Sequence, residues 1–158
     1  MKINYFFIPL IALLVAMTGD YFTSAGLKKW YKSLKLPSFS PAGQVIGTVW
    51  AVIYILATIS VLIVWNTNAV LHEETVFNFI IVMFTLNALM NVFWSFIFFF
   101  LHMVGYAVLE AGALALSVLA LILLIFPISV LAAIVLVPYF VWTCFVAYLN
   151  YSIWQLNK

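Results

Sequence analysis

VFNFIIVMFTLNALMNVFWSFIFFFL, residues 76–101, decides the fold class. A bilayer span needs about 20 mostly apolar residues, and this run is long enough. Asn87, Asn91 and Ser95 recur within it at i, i+4 and i+8, which stacks them on one face of a helix. Trp94, three residues beyond Asn91, borders the same face. An asparagine turned towards lipid loses its hydrogen bonds, so this face must point into a bundle.

Four further runs reach spanning length: residues 3–25, 45–65, 104–126 and 128–154. Lipid gives the backbone no hydrogen-bond partners, so all five should be helices. None alternates with the dyad period of a membrane barrel. With 68% of the chain hydrophobic, little is left for a soluble domain. The sequence therefore predicts an all-α membrane protein, a bundle of five transmembrane helices forming one domain over residues 1–158. The first run exceeds a typical signal-peptide core and is expected to stay as a helix. No internal repeat is visible, which argues against an inverted-repeat transporter. The lone Cys144 excludes an intrachain disulfide and a cysteine-based metal cluster.

All six basic residues are lysines. Lys28, Lys29, Lys32 and Lys35 lie between spans one and two, and Lys158 ends the chain. With five spans those regions share one membrane face, while Lys2, Glu73 and Glu74 share the other. The lysine bias places the first loop and the C-terminus in the cytoplasm and the N-terminus outside. A nucleic-acid patch is the poorer reading of these lysines in so apolar a chain; lipid headgroups are the better one. The short N-terminus, with no added targeting segment, leads to the expectation of a bacterial plasma membrane.

The sizeable loop is residues 27–42. It opens on Trp30-Tyr31, an interfacial pair, and Pro37 and Pro41 hold it out of helix. Ser40 is expected to cap the second span, with Pro41 at its first position. His102-Met103-Val104-Gly105 makes spans three and four an antiparallel hairpin. Pro138 should kink the fifth span or open its hydrogen-bond ladder.

Two more spans carry inward stripes. Gly43, Gly47, Trp50, Ala51 and Tyr54 share one side of the second, where Gly43 and Gly47 form a small-xxx-small pair that permits close helix contact. Tyr139, Trp142, Val146, Leu149 and Asn150 share a face of the fifth. Each stripe reads as helix–helix glue or core filling, or as the wall of a ligand cavity. Three aromatic-plus-amide stripes together favour a cavity. Ala107, Ala111 and Ala115 on the fourth span fit a dimer contact or internal packing equally well. Asp20 and Glu110 are read as capping or water-contacting acids, with a proton relay as the alternative. His72 and His102 fall on opposite membrane faces and cannot share a metal, and no triad or phosphate-cradling loop is present.

Trp30-Tyr31, Leu34-x-x-Pro37, Pro41 and Gly47-x-x-Trp50 together resemble the first-loop signature of the translocator protein family (TspO, the peripheral-type benzodiazepine receptor family). Asn87-x-x-x-Asn91-x-x-Trp94 looks like that family's third helix, and Pro138-Tyr139-x-x-Trp142 with Leu149-Asn150 and Trp154 looks like its fifth. Glu110 stands where the family has an acid near the start of helix four. The match runs from about Trp30 to the C-terminus.

The resemblance implies a five-helix bundle, often a homodimer, with a pocket closed by the first loop. It implies binding of porphyrins such as protoporphyrin IX and haem, or of other hydrophobic small molecules, with no required cofactor and no metal. By position, Trp30, Tyr31, Pro41, Trp50, Tyr54, Asn87, Asn91, Trp94, Ser95, Trp142 and Val146 should form the ligand site. Trp50 and Trp142 match the tryptophans connected with light-dependent porphyrin breakdown in some bacterial members, which makes a porphyrin-degrading enzyme the alternative to a receptor. A porphyrin or sterol transporter ranks below both. Ala42 stands where the family has a second proline, Leu36 where it has a lysine, and Val146 where it has a smaller alanine. The proposed cholesterol motif lacks its nearby basic residue, since Lys158 is too far from Tyr151.

Overall fold

The computed structural model describes residues 2–67 and 74–158, so His72 and Glu73 lie outside the described residues. Helix α1 covers Asn4–Leu27 and a single turn, α2, covers Trp30–Ser33. Helix α3 is Gly43–Asn66, α4 is Glu74–Ser95, and α4 continues as a π-helical turn over Phe96–Phe100. Helix α5 is Val104–Ile125; α6 (Val130–Ile134) and α7 (Val137–Leu156) together make the last crossing. Five helical units are long and apolar enough to cross a membrane. The chain is an integral membrane protein.

The helices form a ring. Helix α1 touches α3 and α4, α4 touches α5, α5 packs along α7, and α6 and α7 return to α3. The side facing the bilayer is apolar. On α5, Leu109, Leu116 and Leu123 are 71%, 67% and 66% exposed, one heptad apart, while Ala111, Leu114, Val118 and Leu121 on the other side are buried. That outward leucine stripe would be a liability in water and suits hydrocarbon.

The alanine stripe works inside the protomer. Ala107, Ala111 and Ala115 are buried, and Ala107 and Ala111 pack with Val146, Leu149 and Ile153 of α7. Without bulk on α5 the two backbones come close enough for Asn150 Nδ2 to reach the Ala107 carbonyl at 3.4 Å. Of the two readings of this stripe, internal packing is the one observed.

Two local expectations, for Ser40 and for the Gly43–Gly47 pair, are overturned, and one, for Pro138, is resolved. Ser40 does not cap α3: the helix begins at Gly43 behind Ala42, without a side-chain cap, and Ser40 Oγ is buried with no partner. Of the two outcomes expected of Pro138, the opened ladder is the one observed: the last span is interrupted at Val135–Leu136. Pro138 sits in the first turn of α7, where its missing N–H costs nothing. Ser60 Oγ donates to the Ala132 carbonyl at 2.8 Å and ties α3 to the short α6. Finally, Gly43 and Gly47 are not a helix contact. A Cβ at either would meet nothing within 4 Å. The close approach lies instead at Gly26 of α1, where a Cβ would run into the Phe99 carbonyl.

Candidate functional site

A cavity of about 350 Å³ lies inside the loop-proximal half of the ring. Its wall on α3 is Gly43, Ile46, Gly47, Trp50, Ala51 and Tyr54; on α4, Asn91, Trp94 and Ser95, followed by Phe98 and Phe99 from the π-helical turn. Helix α7 adds Trp142, Val146, Leu149, Asn150 and Ile153, and Tyr31 of α2 faces in from the loop. The π-helical turn explains how two consecutive phenylalanines both reach the interior. Leu101 N–H donates to the Phe96 carbonyl at 2.9 Å, so the wider turn departs from the 3.6-residue register.

Trp50 is the hub of the aromatic wall. Its ring centroid lies 5.8 Å from Trp94, 6.0 Å from Tyr54, 6.2 Å from Tyr139 and 6.5 Å from Trp142. Trp94 stacks in turn on Phe98 at 5.9 Å. The indole N–H groups of Trp94 and Trp142 are buried and meet no acceptor within the protein. A buried donor without an acceptor is costly, and both tryptophans line the cavity.

Behind this wall runs a chain of hydrogen bonds through four helices. Tyr54 donates its hydroxyl to Asn91 Oδ1 at 2.6 Å, and Asn91 Nδ2 donates to the Tyr139 hydroxyl at 3.0 Å. Tyr139 donates to Asn87 Oδ1 at 3.1 Å, and Asn87 Nδ2 donates to Ser117 Oγ at 2.8 Å. Ser117 closes the chain on the Leu114 carbonyl at 2.7 Å. The amide stripe of α4 thus divides its roles. Asn91 lines the cavity and bridges α3 to α7, whereas Asn87, one turn away, joins α7 to α5 and does not line it.

Of the residues expected at the site, Tyr31, Trp50, Tyr54, Asn91, Trp94, Ser95, Trp142 and Val146 come together around the cavity. Trp30, Pro41 and Asn87 do not line it. Trp30 stacks on the His102 ring at 4.2 Å and packs edge-on against Phe98 at 5.4 Å. His102 presents that ring from a turn with φ of 59° between α4 and α5. The loop is held elsewhere too. Lys35 N–H donates to Asn157 Oδ1, and Asn157 Nδ2 donates back to the Lys35 carbonyl, both at 2.9 Å. Phe39 stacks on Tyr148 at 5.3 Å. These contacts put the first loop and the C-terminus at one end of the bundle.

Ala16, Gly19, Asp20, Thr23 and Leu27 of α1 also line the cavity. Of these, the sequence singled out only Asp20, as a capping or water-contacting acid; the others leave no aromatic or amide stripe to follow. The cavity is asymmetric in its cover. Every lining residue on α4 is buried, and on α7 only Trp142 is partly exposed, whereas Asp20, Gly43, Gly47 and Ala51 are exposed. The opening is therefore lateral, between α1 and α3.

The model of the TspO/MBR family matches residues 7–155. A Bacillus cereus protein named tryptophan-rich protein TspO is 32% identical over 82% of this chain and 82% of its own length. Protein CrtK of Rhodobacter capsulatus is 32% identical over 99% of this chain and 95% of its own. The human translocator protein is 30% identical over 88% of this chain and 81% of its own.

Proposed function

The chain belongs to the TspO/MBR family, and from that premise we propose that it is a membrane receptor for porphyrins, such as protoporphyrin IX and haem, and for other flat hydrophobic ligands, serving tetrapyrrole or stress regulation. The observation that carries the reading is the cavity itself: three indoles and two phenols around a space with two unsatisfied N–H donors. Aromatic walls with few polar fixings suit a planar apolar ligand. The volume is near the lower end of small-molecule sites, roughly 300–1,000 Å³, so a macrocycle enters edge first and leaves its remainder in the lateral opening. Loop lysines would meet the propionates. By the lysine bias the loop and C-terminus face the cytoplasm of a bacterium. A homodimer of the chain uses a lipid-facing surface, because the alanine stripe of α5 is occupied by α7.

The test is a tryptophan-quenching titration of detergent-purified protein with protoporphyrin IX under dim red light, repeated on Trp50→Phe and Trp142→Phe. Saturable quenching at micromolar ligand, weakened in both variants, is the expected result. Unchanged affinity in both variants, with the fold intact, would sink the proposal.

A second reading has one observation in its favour. Trp50 and Trp142 lie 6.5 Å apart in the same cavity, where an excited porphyrin would meet an oxidisable indole. Illumination of the complex with and without oxygen separates the two. Loss of porphyrin absorbance faster than for free porphyrin, with a bilin-like product, supports an enzyme; bleaching at the free rate leaves a receptor.

A further inference from the structure

Asp20 is the one formally charged side chain among the described residues that line the cavity. The midpoint of α1 falls between Val15 and Ala16. At about 1.5 Å per residue, Asp20 lies about 7 Å from that midpoint. That is well within a hydrocarbon half-thickness of about 15 Å. An acid at such depth is expensive and usually has a partner. None of the hydrogen bonds among the described residues reaches its carboxylate, and the Ser95 hydroxyl lies beside the adjacent Gly19. Across the opening α3 offers Gly43, Gly47 and Ala51. The hydroxyls next to Asp20 in the chain are used by their own helix: Thr18 donates to the Leu14 carbonyl, Thr23 to Gly19 and Ser24 to Tyr21. The lysines at the end of α1 and in the loop do not line the cavity. No cluster of three or more His, Cys, Asp or Glu side chains exists among the described residues.

Three features then coincide. A carboxyl group stands exposed at the lateral opening, the wall behind it includes Trp50, Trp94 and Tyr54, and across the mouth α3 offers Gly43, Gly47 and Ala51. Indole and phenol rings pack against an aromatic group, and a carboxylate recognises an ammonium. We propose that Asp20 is a specificity-determining residue and that the cavity takes hydrophobic aromatic amines, with the ammonium at the lateral opening beside Asp20 and the aromatic part against Trp50. The inference rests on the reading of the cavity as a ligand site and names a further ligand class for it.

Three anthracenes of one skeleton test it: 9-(methylaminomethyl)anthracene, 9-anthracenemethanol and 9-anthracenecarboxylate. Each is titrated by tryptophan quenching into the full chain in uncharged maltoside micelles, as wild type, Asp20→Asn and Asp20→Glu. The wild type should bind the amine about tenfold tighter than the alcohol, the scale of one charge-assisted hydrogen bond, and the carboxylate most weakly. Asp20→Asn should bring the amine to the level of the alcohol, and Asp20→Glu should keep most of the preference. An amine-to-alcohol ratio near one in the wild type, or the same ratio in wild type and Asp20→Asn, overturns the inference. Protoporphyrin IX titrated into the same preparations separates the two ideas. Porphyrin binding with no amine preference overturns this inference alone, and absence of saturable quenching by all four compounds overturns both.

Discussion

The Tyr54 hydroxyl donates to the Asn91 side-chain carbonyl at 2.6 Å, and this bond joins α3 to α4 at the floor of the cavity. Asn91 passes the connection to Tyr139 of α7 through its amide, at 3.0 Å. One side chain therefore holds three helices in register. Its loss and the loss of Tyr54 should differ in kind.

Asn91→Leu removes both of those bonds and leaves the Tyr54 hydroxyl facing an apolar group. The Tyr139 hydroxyl keeps Asn87 as its acceptor. An unsatisfied buried group costs about 1–3 kcal/mol, whereas a single interhelical hydrogen bond in a membrane averages about 0.6 kcal/mol. Asn91→Leu should therefore lower the thermal unfolding midpoint in detergent clearly, and Tyr54→Phe by much less. Equal shifts for the two variants would show that the network does not stabilise as a unit.

The glycines make a second, opposed pair. A Cβ at Gly26 would overlap the Phe99 carbonyl, which belongs to the backbone and cannot swing away. Gly26→Ala should force α1 off the π-helical turn and cost about 1–3 kcal/mol, as overpacking does. Gly47 has open space around its Cβ position. There alanine should stabilise the helix by up to about 1 kcal/mol through propensity alone. Thermal unfolding of both variants reads the contrast, and a Gly47→Ala variant as unstable as Gly26→Ala would contradict the open mouth between α1 and α3.

Asn157 closes a two-way hydrogen-bonded bridge onto Lys35 and donates to the Ile153 carbonyl at 2.7 Å. Asn157→Ala should free the middle of the loop while leaving the bundle intact, because these groups lie at the exposed end of α7. Trypsin should then cut after Lys32 or Lys35 faster than in the wild type, with the unfolding midpoint little changed. Identical cleavage rates would mean that the Trp30–His102 and Phe39–Tyr148 stacks suffice to hold the loop.

How legible this was depended on the kind of side chain. The spans announced themselves by length, and Asn87, Asn91 and Ser95 revealed an inward face because an amide in lipid is costly. Trp50, Tyr54 and Trp142 followed from helical spacing. What stayed hidden had no such chemical signal. Ala16, Gly19 and Thr23 line the cavity through backbone proximity, and proximity depends on how α1 leans against its neighbours. Phe98 and Phe99 both turn inward through a π-helical turn that a 3.6-residue period does not anticipate. Trp30 looked like a ligand contact; its partner is His102, seventy-two residues away in the chain and brought under it by the α4–α5 turn. Gly43 and Gly47 had the spacing of a packing motif, but spacing does not say whether a second helix stands opposite.

Ala111 is 1% exposed, buried between α5 and α7. If its stripe served a dimer, Ala111→Leu would split the dimer and spare the protomer. Buried as it is, the added side chain should instead wedge α5 from α7 and strain the Asn150–Ala107 contact, at a cost of about 1–3 kcal/mol. The exposed Leu116 on the opposite side should tolerate alanine with a small effect, since it exchanges one lipid contact for another. Unfolding and sedimentation of the two variants in detergent, side by side, decide the matter. A fall in stability for Ala111→Leu with its mass unchanged from the wild type is expected. A stable protomer of altered mass would return the stripe to a subunit interface.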